Sequence, residues 1–159
     1  MRSTGAGLVA AGCLTALAAC GGASSPPASQ VDRVWIDNTS GVIDQLRRDL
    51  QLGSTAGDTI AAARKTLHSG LYTVLVAYTD FGGCHHMVAA AGVAPERFAG
   101  VTRTLKAACR LLQRSAVLFT HAARKDDPAA LLEAGRLAAS ASPLLVHAKL
   151  DLQAAATRR

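Results

Sequence analysis

Cys84-His85-His86-Met87 is the densest run of metal-binding side chains in the sequence. Cys and Met are soft ligands suited to copper, and imidazole suits copper or zinc. A metal site needs donors that converge, whereas adjacent residues on a helix point about 100° apart. No Cys-x-x-Cys accompanies the run, and no further Cys or His stands at ligand spacing. The sequence therefore assigns no metal and no cofactor. Handling of copper or zinc through His85 and His86, with Cys84 as a further ligand, is kept as the alternative reading. A helix starting after the Gly82-Gly83 turn is the simpler account of the same residues.

Cys84 has a second use. Cys84 and Cys109 are the two cysteines of the folded part. An even pair in an exported domain reads as a disulfide, with two separate thiols as the alternative. Cys109 falls well inside its helix, so Cys84 has to reach back along it, which the Asp80-Phe81-Gly82-Gly83 segment would allow if flexible. Asp80-Phe81-Gly82 also matches a kinase triplet, but no glycine-rich loop or catalytic-loop motif supports it. No serine elbow, paired-carboxylate arrangement or phosphate loop is present. Glu96 and Glu133 are the only glutamates, which excludes a di-iron carboxylate bundle. The chain is not read as an enzyme.

One constellation of charge stands out. Arg103, Lys106, Arg110 and Arg114 recur three and four residues apart, and Glu96 is the only acid of their helix. That spacing puts all four on one helical face, opposite the apolar stripe. Such a face suits anionic lipid, a phosphate-bearing envelope polymer or an acidic protein partner. The plain alternative is a solvated surface that keeps an alanine-rich bundle soluble. The histidines His121 and His147 fall on polar faces, and His68 flanks a stripe beside Arg64 and Tyr72.

The elements that position these residues read as helices. Thr39 or Ser40 can cap a short helix with Ile43, Leu46 and Leu50 on one face, stopped by Gly53. Thr55 or Asp58 can cap a second, whose stripe is Ile60, Ala63, Leu67, Leu71, Val74 and Tyr78. A third opens at Pro95 and carries Phe98, Val101, Leu105, Ala108, Leu112, Ser115 and Phe119. Asp127-Pro128 starts a fourth, since Asp caps and Pro fits the first turn. Its inner side is Leu131, Ala134, Ala138, Ala141, Leu145, Ala148 and Leu152; Glu133, Arg136, Ser140, His147 and Asp151 lie outside. Pro143 should kink or break this helix, with Ser142 as a new cap. The expected fold is all-α: an up-down bundle of three long helices plus a short N-terminal one.

The amino-terminal segment has a different character. Arg2 precedes an apolar run from Leu8 to Ala19, the charge and length of a signal peptide. A spanning helix needs about 20 apolar residues. The run ends Leu17-Ala18-Ala19-Cys20, followed by Gly21-Gly22. This tetrapeptide resembles the lipobox of bacterial lipoproteins. The resemblance implies a diacylglycerol thioether at Cys20, cleavage before it, and palmitate-type acylation of the new amino terminus. Two other readings are open. Ala16-Leu17-Ala18 fits an ordinary signal-peptidase site, and Cys13 follows small residues of its own.

Residues 21–30, Gly-Gly-Ala-Ser-Ser-Pro-Pro-Ala-Ser-Gln, bury no face and read as a solvated tether. Val31–Ile36 holds Trp35, the only tryptophan, which is expected to dock on the domain rather than rest at a membrane interface. The organisation is thus a signal peptide over 1–19, a lipidated Cys and tether over 20–37, and a helical domain over 38–159. The formal charge of +6 falls by one with removal of Arg2. Arginine outnumbers lysine thirteen to four, a bias of GC-rich bacteria. With the lipobox, the domain resembles small helical lipoproteins of actinobacteria, a resemblance that transfers no functional residue. The expected function is an exported, non-enzymatic envelope module on the extracytoplasmic side of the cell membrane. Its partners would be the membrane, through the anchor, and an anionic polymer or protein; no nucleic acid is expected.

Overall fold

The computed structural model describes residues 28–62, 67–125 and 127–157, with side chains over 30–53, 75–122, 124–125 and 127–157. The chain is all-α: four helices, α1 (Ala28–Ala62), α2 (Leu67–Ala90), α3 (Ala99–Lys125) and α4 (Pro128–Thr157), and no strand among the described residues. Each helix packs on its neighbour in sequence, and α1 closes against α4. The signal-peptide residues 1–19 and Cys20 lie outside the described residues.

The apolar stripes of α3 and α4 form most of the core. Phe98, Val101, Leu105, Ala108, Leu112, Ser115 and Phe119 are all buried, as are Ala134, Ala138, Ala141, Leu145, Ala148 and Leu152. The two helices share the most extensive contact of the fold, because alanine lets their backbones approach. Asp127 caps α4: its Oδ1 accepts the amides of Ala129 and Ala130 at 3.0 and 3.1 Å. At the other end of the pair, Pro95 opens a single 3₁₀ turn, Glu96–Phe98, before α3 begins. Gly92, with φ of 99°, ends α2 in the left-handed conformation that favours glycine.

The amino-terminal half differs from the sequence expectation. α1 is the longest helix, 35 residues, not a short one, so the domain has four long helices. The helix already runs by Ala28, so residues 28–37 belong to it and not to a tether. Trp35 is 5% exposed and stacks on Phe98 with ring centroids 4.9 Å apart. Arg97 on the 3₁₀ turn pairs with Asp32 at 2.7 Å. Trp35 thus docks on the domain as expected, and its contacts carry the helix into residues placed in the tether.

Thr39 and Ser40 lie inside α1 and cap nothing. The Thr39 hydroxyl is buried with no hydrogen-bond partner among the described residues. Ser40 accepts from Lys149 Nζ at 2.6 Å, and the same ammonium pairs with Asp44 at 2.7 Å, tying α4 to α1. Gly53 stops nothing: α1 continues past it to Ala62, through Thr55 and Asp58, and a Cβ there would make ordinary contact with the rings of Phe81 and Tyr78, so the glycine faces α2. Of the expected second stripe, Ala63 lies outside the described residues and Ile60, Leu67, Leu71 and Val74 outside the described side chains; Tyr78 is buried.

Gly82-Gly83 is likewise no turn, since α2 runs through it. A Cβ at Gly82 would meet Ala116 at 3.8 Å, so this glycine faces α3. α4 also continues through Pro143, with no break and no cap at Ser142. Pro143 and Ala139 are both exposed, so the carbonyl left without an amide partner lies on the solvated side. By length and composition α4 would qualify as a membrane span. Its inner stripe, Ala134 to Leu152, is packed into the core, while most of its other residues are exposed.

Candidate anionic-surface site

Arg103, Lys106, Arg110 and Arg114 are all exposed on α3, and among the described residues none has a carboxylate partner. The buried stripe of α3 fixes which way they point, because residues opposite Leu105, Ala108 and Leu112 have to face water. The face is longer than the sequence reading made it. The same three- and four-residue spacing continues through Val117 and His121 to Lys125, all exposed. The extension spans about 33 Å of helix in total at 1.5 Å per residue.

Beside this face lies an open groove of about 1180 Å³ between α2 and α3. Tyr78, Ala116 and Phe119 lie along it, with Tyr78 stacked on Phe119 at 4.0 Å between ring centroids. Leu75 from α2 and Val117 from α3 line it and are themselves exposed, Val117 by 70%. Arg110, Arg114, Arg124 and Lys125 also border the groove. The groove was not legible in sequence because it needs α2 beside α3. An exposed valine within a basic face was the one local signal.

Cys84 and Cys109 are joined, their Cα atoms 5.3 Å apart and both side chains fully buried. Cys84 reaches Cys109 without a flexible turn, since both lie at facing positions of packed helices. The Gln113 amide donates to the Gly82 carbonyl at 3.3 Å, a second link between α2 and α3. His85 is half-buried and His86 exposed on α2. With the Cys84 sulfur bonded to Cys109, it is not a thiolate ligand. Among the described residues no three His, Cys, Asp or Glu side chains gather as a metal would require. His121 and His147 are exposed; His68 lies outside the described side chains.

The structure also brings together two carboxylates that sequence reading did not pair. Asp49 on α1 is 1% exposed and hydrogen-bonds Asp80 on α2. The Gln45 amide reaches Asp49 at 3.1 Å and Asp80 at 3.3 Å, and Arg48 donates to the Gln45 oxygen at 2.7 Å. Burial first, and then the adjoining Asp80, raise the Asp49 carboxyl to about 6. The Asp49 carboxyl is closed to solvent, while Asp80 beside it is half-buried. The available signal was an Asp three residues after Leu46, inside an apolar stripe. Deeper in the core, Ser115 donates to the Ala134 carbonyl at 2.6 Å and also pairs with the Tyr78 hydroxyl. Burial pushes the Tyr78 phenol up, and the Ser115 bond opposes that shift.

Compared with known proteins, the chain matches no family profile, no curated sequence and no solved structure.

Proposed function

We propose that the protein is an exported, lipid-anchored and non-enzymatic envelope module that contacts anionic lipid or polymer through the outer face of α3. The observation that carries this reading is the row Arg103, Lys106, Arg110 and Arg114, exposed and without carboxylate partners among the described residues. Four like charges on one face repel one another, and a face selected for stability would intersperse acids. Unpaired, they raise a local positive potential that favours an anion at this face. The buried Cys84–Cys109 disulfide supports an oxidising compartment outside the cytoplasm. The lipobox at Leu17-Ala18-Ala19-Cys20 supports anchorage to the membrane. The same reading takes the helices as an up-and-down bundle, which the short α3–α4 connection favours. Handling of copper or zinc by His85 and His86 has no comparable support.

Two measurements test it. Metabolic labelling with a fatty-acid analogue should mark the wild-type protein and not Cys20→Ala; an unlabelled wild-type protein shed into the medium would count against anchorage. The full chain carrying Cys20→Ser, which has no acyl chains, should bind vesicles of phosphatidylglycerol or isolated anionic envelope polymer. That binding should weaken as salt shortens the Debye length to about 3 Å near 1 M. Replacing Arg103, Lys106, Arg110 and Arg114 together by Glu in the same chain should remove the salt-sensitive part while helicity is unchanged. Equal binding by both proteins would leave the face as a solvated surface.

A further inference from the structure

We propose that the groove between α2 and α3 takes the acyl chain of an anionic lipid, whose headgroup is held by Arg110 and Arg114. The inference rests on the reading of the α3 face as a contact for anions, and narrows that contact from any anionic surface to a lipid.

Charge alone does not separate a phosphate polymer from a lipid headgroup. The apolar groove does, because a polymer of phosphate and polyol has nothing to place on an apolar wall. Val117 is the point of distinction. It sits on the outer face of α3, between Arg114 and His121, and is 70% exposed. Among the described residues it joins no core packing. Across the groove Leu75 of α2 is 46% exposed and lines the same space. The rings of Tyr78 and Phe119 are stacked on each other at the same groove. The Tyr78 hydroxyl is paired with Ser115, so its polar end is already satisfied. An apolar chain lying here would cover Val117 and Leu75 and leave no polar group stranded.

The ends of the groove carry the charge. Arg110 and Arg114 are one helical turn apart, about 6 Å along the axis, close enough for both guanidiniums to engage one phosphate. From Arg114 to Lys125 the groove wall runs about 16 Å along α3, which suits one extended chain. At the Arg110 end, the Cys84–Cys109 bond and the Gln113–Gly82 hydrogen bond join the two walls. The volume of about 1180 Å³ lies just above the roughly 300–1,000 Å³ of small-ligand sites, as an open groove should.

The test uses the full chain with Cys20→Ser and a monomeric probe, palmitoyl lysophosphatidylglycerol below its micelle concentration. Titration calorimetry should find one lipid bound per chain through the groove. Lysophosphatidylcholine of the same chain and inorganic phosphate alone should each bind at least about tenfold more weakly, because each lacks half of the recognition. Val117→Glu and Leu75→Glu, both at exposed positions, should each weaken lysophosphatidylglycerol by about tenfold or more with unchanged circular dichroism. The pair Arg110→Glu and Arg114→Glu should do the same. The pair Arg103→Glu and Lys106→Glu, away from the groove, should leave it within about twofold while reducing vesicle binding. Absence of saturable lysolipid binding would overturn the inference. So would equal binding by Val117→Glu and Leu75→Glu, or equal affinity for phosphate alone. Salt-sensitive vesicle binding that persists in that case would leave the wider α3 reading standing, and its absence would remove both.

Discussion

Asp49 and Asp80 meet across the α1–α2 contact, one carboxyl hydrogen-bonded to the other while the Gln45 amide donates to both. Asp49 is buried and Asp80 beside it is half-buried, so burial first and then the neighbouring carboxylate oppose a charge on Asp49. The Asp49 carboxyl is raised from 3.8 to about 6, so the folded chain holds the Asp49 proton more tightly than the unfolded chain. The stabilisation is therefore complete below the unfolded value near 4 and is lost as pH rises through about 6. Above that, burying the charge costs up to about 3 kcal/mol, since one pKa unit corresponds to about 1.4 kcal/mol. Asp49→Asn supplies a neutral group of the same shape. The variant should be more stable than wild type at pH 7.5 and lose the wild-type fall between pH 4 and 7. Urea midpoints across that range decide it, and parallel pH profiles for both proteins would contradict the raised Asp49 carboxyl.

The disulfide gives a second expectation. It closes 25 residues between the last turns of α2 and the interior of α3. Loop closure of that length is worth about 3–4 kcal/mol in the chain-entropy model. The double variant Cys84→Ser and Cys109→Ser should lower stability by roughly that amount. Neither cysteine should react with a thiol reagent in the wild-type protein, even after denaturation, until a reductant is added. Alkylation of Cys84 and Cys109 themselves in the denatured, unreduced protein, located by peptide mass, would contradict the bond.

Two glycines should respond in opposite directions. Gly83 lies inside α2, and an added Cβ would meet nothing within 4 Å. Gly83→Ala should stabilise by about 0.5–1 kcal/mol, the difference in helix propensity. Gly92 also has open space around it, but its φ is 99°. Gly92→Ala should destabilise by roughly 1–2 kcal/mol, the cost of a left-handed conformation for an L residue. Thermal melts of the two variants separate helix interior from helix end.

These glycines also mark where the fold was legible in sequence and where it was not. The stripes of α3 and α4 are uninterrupted, and every residue from Phe98 to Phe119 assigned to the α3 interior is buried. Asp127-Pro128 names the start of α4 by local chemistry alone. α1 and α2 contain Gly53, Gly82 and Gly83, which read as punctuation but are spanned by helix. A helical glycine costs about 1 kcal/mol. Burial of Ile43, Leu46, Phe81 and Cys84 on either side offsets it, and that burial depends on partners remote in sequence. The site divides in the same way. Four cations at helical spacing are a local pattern and were readable. The groove beside them and the Asp49–Asp80 pair exist only once α2 is laid against its neighbours.

Trp35 tests where the folded domain begins. If residues 20–37 were a tether, its indole would be wet and its removal almost neutral. Here it lies one helical turn before Thr39 on α1, 5% exposed, stacked on Phe98 at the start of α3. The adjoining Asp32–Arg97 pair holds the same two segments together at the surface. As the only tryptophan, it reports this contact without labelling. Its emission should be blue-shifted and poorly quenched by acrylamide in the native protein, and should shift red in the same cooperative transition that melts the helices. Trp35→Ala should cost about 3–5 kcal/mol, the usual loss for an aromatic removed from a core. Asp32→Ala should cost about 0–1 kcal/mol, because that pair is partly solvated. A red-shifted native emission, or a Trp35→Ala variant as stable as wild type, would return the first ten residues of α1 to the tether.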